Sequence, residues 1–183
     1  MNKNSLTAID FETAAPGAGV VCSVGLAKIV DGKLVDTYSS LIMPPGGMPD
    51  RWCFKEIHGI SPEQVLDAPS WIEVWKDILD FADGDTFAAH NARFDRGQLY
   101  AANRLAGLDD INYEFICTCN ESRRLIPEHL ENYKLPTVAH YFDVEQIHHH
   151  DAGDDAIVCG EIAAHLAILG HGKLQHLNQP KNR

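Results

Sequence analysis

The period of apolar positions changes several times along the chain, and each change predicts an element. Leu6 to Asp10 reads as a short strand. Val20, Cys22, Val24, Leu26 and Val30 keep to alternate positions, which predicts a long strand over Val20–Val30. Asp31-Gly32-Lys33 is a tight-turn signal, and Leu34 to Met43 supplies the returning strand. Pro44 to Pro49 is a loop, and Ser61-Pro62-Glu63 is a helix start with Ser as cap and Pro at the first helical position. A helix is predicted over Ser70–Ala82, with Ile72, Trp75, Ile78 and Leu79 on one face. Thr86–His90 reads as a strand, Ala92–Ala106 as a helix and Tyr113–Cys117 as a strand. Two short helical segments and a final helix over Ala152–Leu169 complete the series. A three-strand antiparallel meander followed by strand–helix units predicts an α/β sandwich, a mixed sheet with helices packed on it. From Gly170 the apolar period is lost. Residues 1–170 are therefore expected to form one domain and 171–183 a disordered tail.

Composition narrows the class. A chain of 183 residues with 45% hydrophobic and 22% charged residues fits one globular domain and excludes general disorder. Its 15 Lys and Arg against 26 Asp and Glu leave a net charge of −11, which argues against coating nucleic acid by charge alone. It leaves room for an enzyme that holds a phosphodiester through metal ions, since such a site itself uses carboxylates. The five cysteines are odd in number and form no Cys-x-x-Cys pair, so reduced thiols are expected. The apolar stretch after Ser5 is too short for a signal peptide, and no run approaches the ~20 residues of a membrane span. A cytoplasmic protein with no membrane partner is expected.

Four acids stand out by position. Asp10 and Glu12 flank Phe11, and side chains two apart on a strand share a face. Alone, that pair also fits a solvated strand end. Asp95, however, is followed by Leu99, Ala102 and Ala106 at helical spacing, which puts it on the apolar stripe. Asp155 repeats the pattern with Val158, Cys159, Ile162, Leu166 and Leu169. Burying an unpaired carboxylate costs several kcal/mol, so two of them, each in the first turn of its helix, point to a shared cation. Hard oxygen ligands without a Cys/His cage favour Mg²⁺ or Mn²⁺, and a pair of such ions suits phosphodiester hydrolysis.

That chemistry needs a base, and His148, His149 and His150 precede Asp155. Five residues correspond to ~500° of helical rotation, so His150 and Asp155 cannot share a helix face. If both act at one site, His150 lies on the loop before the helix, with Asp151 or a neighbour as cap. A His-rich metal tract and plain solvated histidines are the other readings.

Asp10-Phe11-Glu12-Thr13, His90-Asn91-Ala92-Arg93-Phe94-Asp95 and His150-Asp151-Ala152-Gly153-Asp154-Asp155-Ala156 closely resemble, in order and separation, the three motifs of the DEDDh, or DnaQ-like, 3′–5′ exonucleases. Ile57-His58-Gly59-Ile60-Ser61 is similar to that family's His-Gly-Ile segment, and the resemblance spans about Leu6 to Leu169. It implies an RNase H-like fold: a mixed five-stranded sheet with helices on both faces. It also implies two Mg²⁺ (or Mn²⁺) held by Asp10, Glu12, Asp95 and Asp155, Asp10 bridging them, with His150 as general base. Thr13 is implied at the terminal 3′-hydroxyl, and His90 and Asn91 in support of Asp95. His58 and Ile60 are implied as shaping the nucleotide pocket. Phe11 is counted among the substrate-binding candidates, although Phe11 and Phe94 both read first as packing aromatics.

The implied partners are 3′ ends of single-stranded DNA, ahead of RNA, with a DNA polymerase and a second copy of the chain as candidate associates. An RNA-trimming relative and a non-catalytic binding module are the alternatives. Two departures from the family pattern are Ala14-Ala15-Pro16-Gly17 after Thr13, where many members have Thr-Gly, and Cys117-Thr118, where many have Asp-Thr. Arg93, Arg96, Arg123, Arg124 and Lys134 are the candidate basic contacts for a strand.

Overall fold

A computed structural model describes residues 5–109 and 112–177. Five strands, β1 (Ser5–Thr13), β2 (Val21–Val30), β3 (Lys33–Leu41), β4 (Thr86–Ala89) and β5 (Phe115–Cys117), form one sheet in the order β3-β2-β1-β4-β5. β1 pairs antiparallel with β2 and parallel with β4, so the sheet is mixed. The helices are α1 (Lys55–His58), α2 (Pro62–Val65), α3 (Trp71–Ala82), α4 (Arg93–Leu105), α5 (Thr118–Leu125), α6 (Leu135–Tyr141) and α7 (Ala152–Leu169). This is the RNase H-like architecture expected.

The alternation of β1 sorts its side chains between two layers. Ile9 and Phe11 enter a core with Trp71, Val74, Trp75 and Ile78 of α3 and Leu99 and Ala102 of α4. Ala8, on the opposite face, joins Val138, Ala156, Val158, Cys159, Ile162 and Leu166 under α6 and α7. The phase predicted for the Ser70–Ala82 helix is corrected here. Ile72 and Leu79 face outward, and the buried stripe is Trp71, Val74, Trp75, Ile78 and Ala82. Trp71 wins the inward position because its indole N–H also reaches Asn103 Oδ1, at 2.8 Å.

Two features set where α7 lies. A Cβ on Gly25 would fall 1.9 Å from the Ala152 carbonyl oxygen, so only glycine lets the first turn of α7 rest directly on β2. About two turns further on, Gly160 admits Ile29 and Ala8. Gly25 is the register partner of Asp10, so the start of α7 is brought over the end of β1.

Part of the segment expected as a disordered tail is laid along the sheet. His176 bridges Ile116 antiparallel, and the Leu177 N–H donates to the Phe115 carbonyl at 2.7 Å. Glu121, paired with Arg124, accepts the Gln175 N–H at 3.1 Å. Residues 178–183 lie outside the described residues. The five cysteines are free. No helix among the described residues is long and apolar enough to cross a membrane.

Candidate active site

The carboxylates meet where β1 and β4 end. Asp10 and Glu12 project to the α7 face, as their spacing predicts, and Phe11 turns to the other core. Asp155, in the first turn of α7, is 5% exposed. Asp10, Glu12 and Asp155 each bring an oxygen within 4.8 Å of the others. Asp95 approaches from the opposite layer on the first turn of α4 and is 1% exposed. The Phe11 backbone N–H donates to its carboxylate. Among the described residues, Asp95 Oδ1 is the buried side-chain atom left without a hydrogen-bond partner.

Electrostatics make the cluster unfavourable by itself. Burial, then the charges of Asp95, Asp155, Glu12 and Asp151, push Asp10 well above the carboxylate range. Burial and the charges of Asp155, Asp151 and Asp95 push Glu12 up to about 8. Burial pushes Asp95 up to about 7. No Lys or Arg among the described residues lines the cleft to offset these charges. Four hard-oxygen side chains, one with an unused buried oxygen and none with a cationic partner in the cleft, fit divalent cations such as Mg²⁺ or Mn²⁺.

The loop before α7 is built to present histidine. Asp151 caps the helix by accepting the Asp154 N–H at 3.0 Å. Asp154 Oδ2 accepts the N–H groups of Ile147 (2.9 Å) and His148 (2.7 Å). His150 takes a left-handed backbone conformation, φ 67°, and its N–H donates to Asp155 Oδ2 at 3.1 Å. Its ring stacks on His149, centroids 3.8 Å apart, and both rings line the cleft. Burial and the neighbouring His149 lower the His150 pKa. His148 is not among the lining residues.

The cleft has a volume of about 370 Å³. Beyond the acids and histidines it is walled by Phe54, Ile57, Phe94 and Leu135, with Thr13 and Phe11 at its base. Phe94 is 45% exposed, so it is a cleft aromatic and not a core one. Phe11 is 3% exposed, packs on Trp71 at 5.9 Å and also borders the cleft. Sequence reasoning missed Phe54, Ile57 and Leu135. Ile57 opens the His-Gly-Ile segment and Phe54 lies three residues before it, and that nearness was the available signal.

His58 and Ile60 act at one remove. The Ile60 N–H donates to His58 Nδ1 (3.1 Å), which leaves Nε2 protonated and 3.1 Å from the Thr13 carbonyl. His58 thereby fixes the strand end on which Thr13 sits. Burial lowers its pKa, in keeping with a neutral ring. The Ile60 side chain packs with Ala14, Cys22 and Val65 and does not line the cleft. His90 does line it, with both nitrogens engaged. Its Nε2–H donates to the Tyr133 carbonyl (2.9 Å), and its Nδ1 accepts from the Thr118 hydroxyl (2.9 Å). Burial lowers its pKa to about 4, so His90 serves as neutral wall. Asn91 is exposed at φ 70°, where it turns the chain into α4.

Of the basic candidates, Arg124 is spent on Glu121 and the Lys173 carbonyl. Arg123 lies over the Tyr133 ring at 5.3 Å. Arg93 and Lys134 are exposed.

Comparison with known proteins agrees with this geometry. Residues 7–163 match the RNase T exonuclease family. The chain is 35% identical over 142 residues to the PolC-type DNA polymerase III of Caldanaerobacter subterraneus. That match covers 78% of the chain and 10% of the relative, so the chain spans about a tenth of the PolC-type polymerases it matches. Among solved structures, exonuclease X in complex with 5′ overhanging duplex DNA has 27% identity and a TM-score of 0.71 over 91% of this chain and 93% of that one. The nuclease domain of 3′hExo, a DEDDh family member bound to rAMP, has 15% identity and a TM-score of 0.81 over 97% and 98% of the two chains. It shares the fold.

The chain belongs to the RNase T exonuclease family. It is a DnaQ-like 3′–5′ exonuclease, and its sheet and helices have the fold of a DEDDh family member. Divalent metal ions are general in that class.

Proposed function

We propose that this enzyme removes nucleotides from the 3′ end of single-stranded nucleic acid, DNA in preference to RNA, releasing nucleoside 5′-monophosphates. The observation that carries the proposal is the convergence of Asp10, Glu12 and Asp155, with the Asp95 charge acting on Asp10, at a cleft that no Lys or Arg lines among the described residues. These four would hold two Mg²⁺ or Mn²⁺. When bound, such a pair supplies charge stabilisation for the attacking and leaving oxygens of the phosphodiester.

The chain's own residues supply the rest. His150, on a loop held by Asp154, takes the proton of the attacking water. Thr13, anchored through its carbonyl by His58, meets the terminal 3′-hydroxyl. Phe54, Ile57, Phe94 and Leu135 give the terminal base an apolar seat. The similarity to a DNA polymerase and to an exonuclease solved with DNA supports DNA as substrate. It also supports association with a DNA polymerase.

The test is shortening of 5′-labelled DNA and RNA oligonucleotides of one sequence with Mg²⁺, Mn²⁺ or EDTA. A ladder receding from the 3′ end, faster on DNA and absent in EDTA and in Asp10→Ala, is expected. Full activity of Asp10→Ala would overturn the metal assignment, and faster shortening of RNA would reverse the substrate preference. His150→Ala is expected to lower kcat on the order of 10²-fold or more with metal affinity nearly unchanged. An equal loss in His148→Ala would place the base elsewhere.

A further inference from the structure

Two imidazoles beside a carboxylate differ in kind from the oxygen cluster they adjoin. His149, His150 and Asp155 each offer a ligand atom, all within 4.8 Å of one another. His149 Nδ1 stands 3.4 Å from both Asp155 oxygens. The edge of a zinc tetrahedron with bonds of about 2.0 Å is about 3.3 Å, so this pair already has the spacing of two zinc ligands. The two rings border the cleft in one stack, tilted by 24°, and because both are exposed, rotation of one about its side-chain torsions brings both in-plane lone pairs onto a shared ion. Gln146, which donates to Asp155 Oδ1 and lies 3.1 Å from His149 Nδ1, holds this corner together from behind. The left-handed backbone at His150 lets consecutive residues turn both rings to the same side.

We propose that His149, His150 and Asp155 form an inhibitory site for Zn²⁺ or a similar nitrogen-seeking cation. Two nitrogens and one carboxylate are a donor set that zinc prefers and Mg²⁺ does not. The fourth position stays open to water or to a substrate phosphate oxygen. Occupation withdraws the His150 ring from proton transfer and takes Asp155 from the activating ions. Zinc therefore inhibits at concentrations far below those of Mg²⁺, and added Mg²⁺ relieves it by competition for Asp155. The inhibitory consequence rests on His150 being the base, whereas the binding itself does not.

Two readouts test this separately. Co²⁺ is titrated into metal-free wild-type and His149→Ala protein, and visible absorption reports nitrogen ligation in a four- or five-coordinate site. Zn²⁺ inhibition of Mg²⁺-dependent DNA shortening is then measured for both proteins. The wild type is expected to give intense visible bands that His149→Ala lacks. With each protein's inhibition scaled to its own zinc-free Mg²⁺-dependent rate, His149→Ala is expected to need at least about tenfold more Zn²⁺ for half inhibition. Identical Co²⁺ spectra, or equal zinc sensitivity in the two proteins, would overturn the site. If neither protein shortens DNA, the proposed function fails, and the Co²⁺ spectra alone decide whether the site exists.

Discussion

The sheet carries buried acid at both ends, and the two ends are built differently. At the start of β1, one oxygen of Asp85 is met by three donors. Its Oδ2 accepts from Ser5 Oγ and Thr7 Oγ1, each at 2.9 Å, and pairs with Lys28 Nζ at 2.7 Å. Lys28 spends its remaining protons on the carbonyls of Phe81 (3.1 Å) and Ala82 (2.8 Å). At the end of β1, four carboxylates converge without one Lys or Arg among the described cleft residues, and Asp95 Oδ1 has no partner. The closed cluster is a fastening. The open one is unfavourable by itself, as the proposed cation site requires, and trades stability for function.

This contrast can be broken by substitution. Removing a carboxylate from the open end is expected to have the largest effect on activity and the opposite sign on stability. Asp95→Asn should lower DNA shortening on the order of 10³-fold or more. It should also raise the metal-free protein's unfolding free energy by about 1–2 kcal/mol, because a buried charge is lost. Denaturant midpoints in EDTA check this, and a fall in midpoint would mean that Asp95 is a structural partner.

The closed end should behave in reverse. Asp85→Ala strands the half-buried Lys28 ammonium and is expected to cost about 3–5 kcal/mol of stability. Where the variant is folded, its kcat should stay within about twofold of wild type. A catalytic loss matching that of Asp95→Asn would show that the ends are not independent.

A smaller effect comes from His90. Its folded pKa, about 4, lies below that of an unfolded histidine, so the unfolded chain takes up the proton first as pH falls. Its contribution is whole above about pH 6.5 and lost on the way to about 4. Between pH 7 and 5 that is about 1–2 kcal/mol. Denaturant midpoints of Mg²⁺-saturated wild type and His90→Gln across this range check it, since the variant should lack this part of the decline.

The sequence disclosed the acids because they break a pattern. Asp95 and Asp155 stand on helical stripes otherwise made of Leu, Ile, Val, Ala and Cys, and Asp10 and Glu12 share a strand face. The meander and the order of strands and helices were legible for the same reason, a clean change of period. What escaped came from segments without a period. Phe54 and Ile57 sit in and beside a four-residue helix, and Leu135 begins a seven-residue one, too short for a stripe to show. The phase of α3 was misread because Ile72 and Leu79 are apolar yet exposed, while Trp71 is drawn inward by a hydrogen bond to a distant helix. The path of residues 171–177 depends on Glu121 and the β5 edge, neither of which local polarity reveals.

The most direct test of the open cluster is a calorimetric titration of Mn²⁺ into EDTA-treated protein, with thermal unfolding followed in parallel. Two ions per chain, a higher unfolding temperature on binding, and loss of both effects in Asp10→Asn are expected. Absence of binding at millimolar Mn²⁺, with an unfolding temperature indifferent to the ion, would contradict a cleft made tolerable by divalent cations.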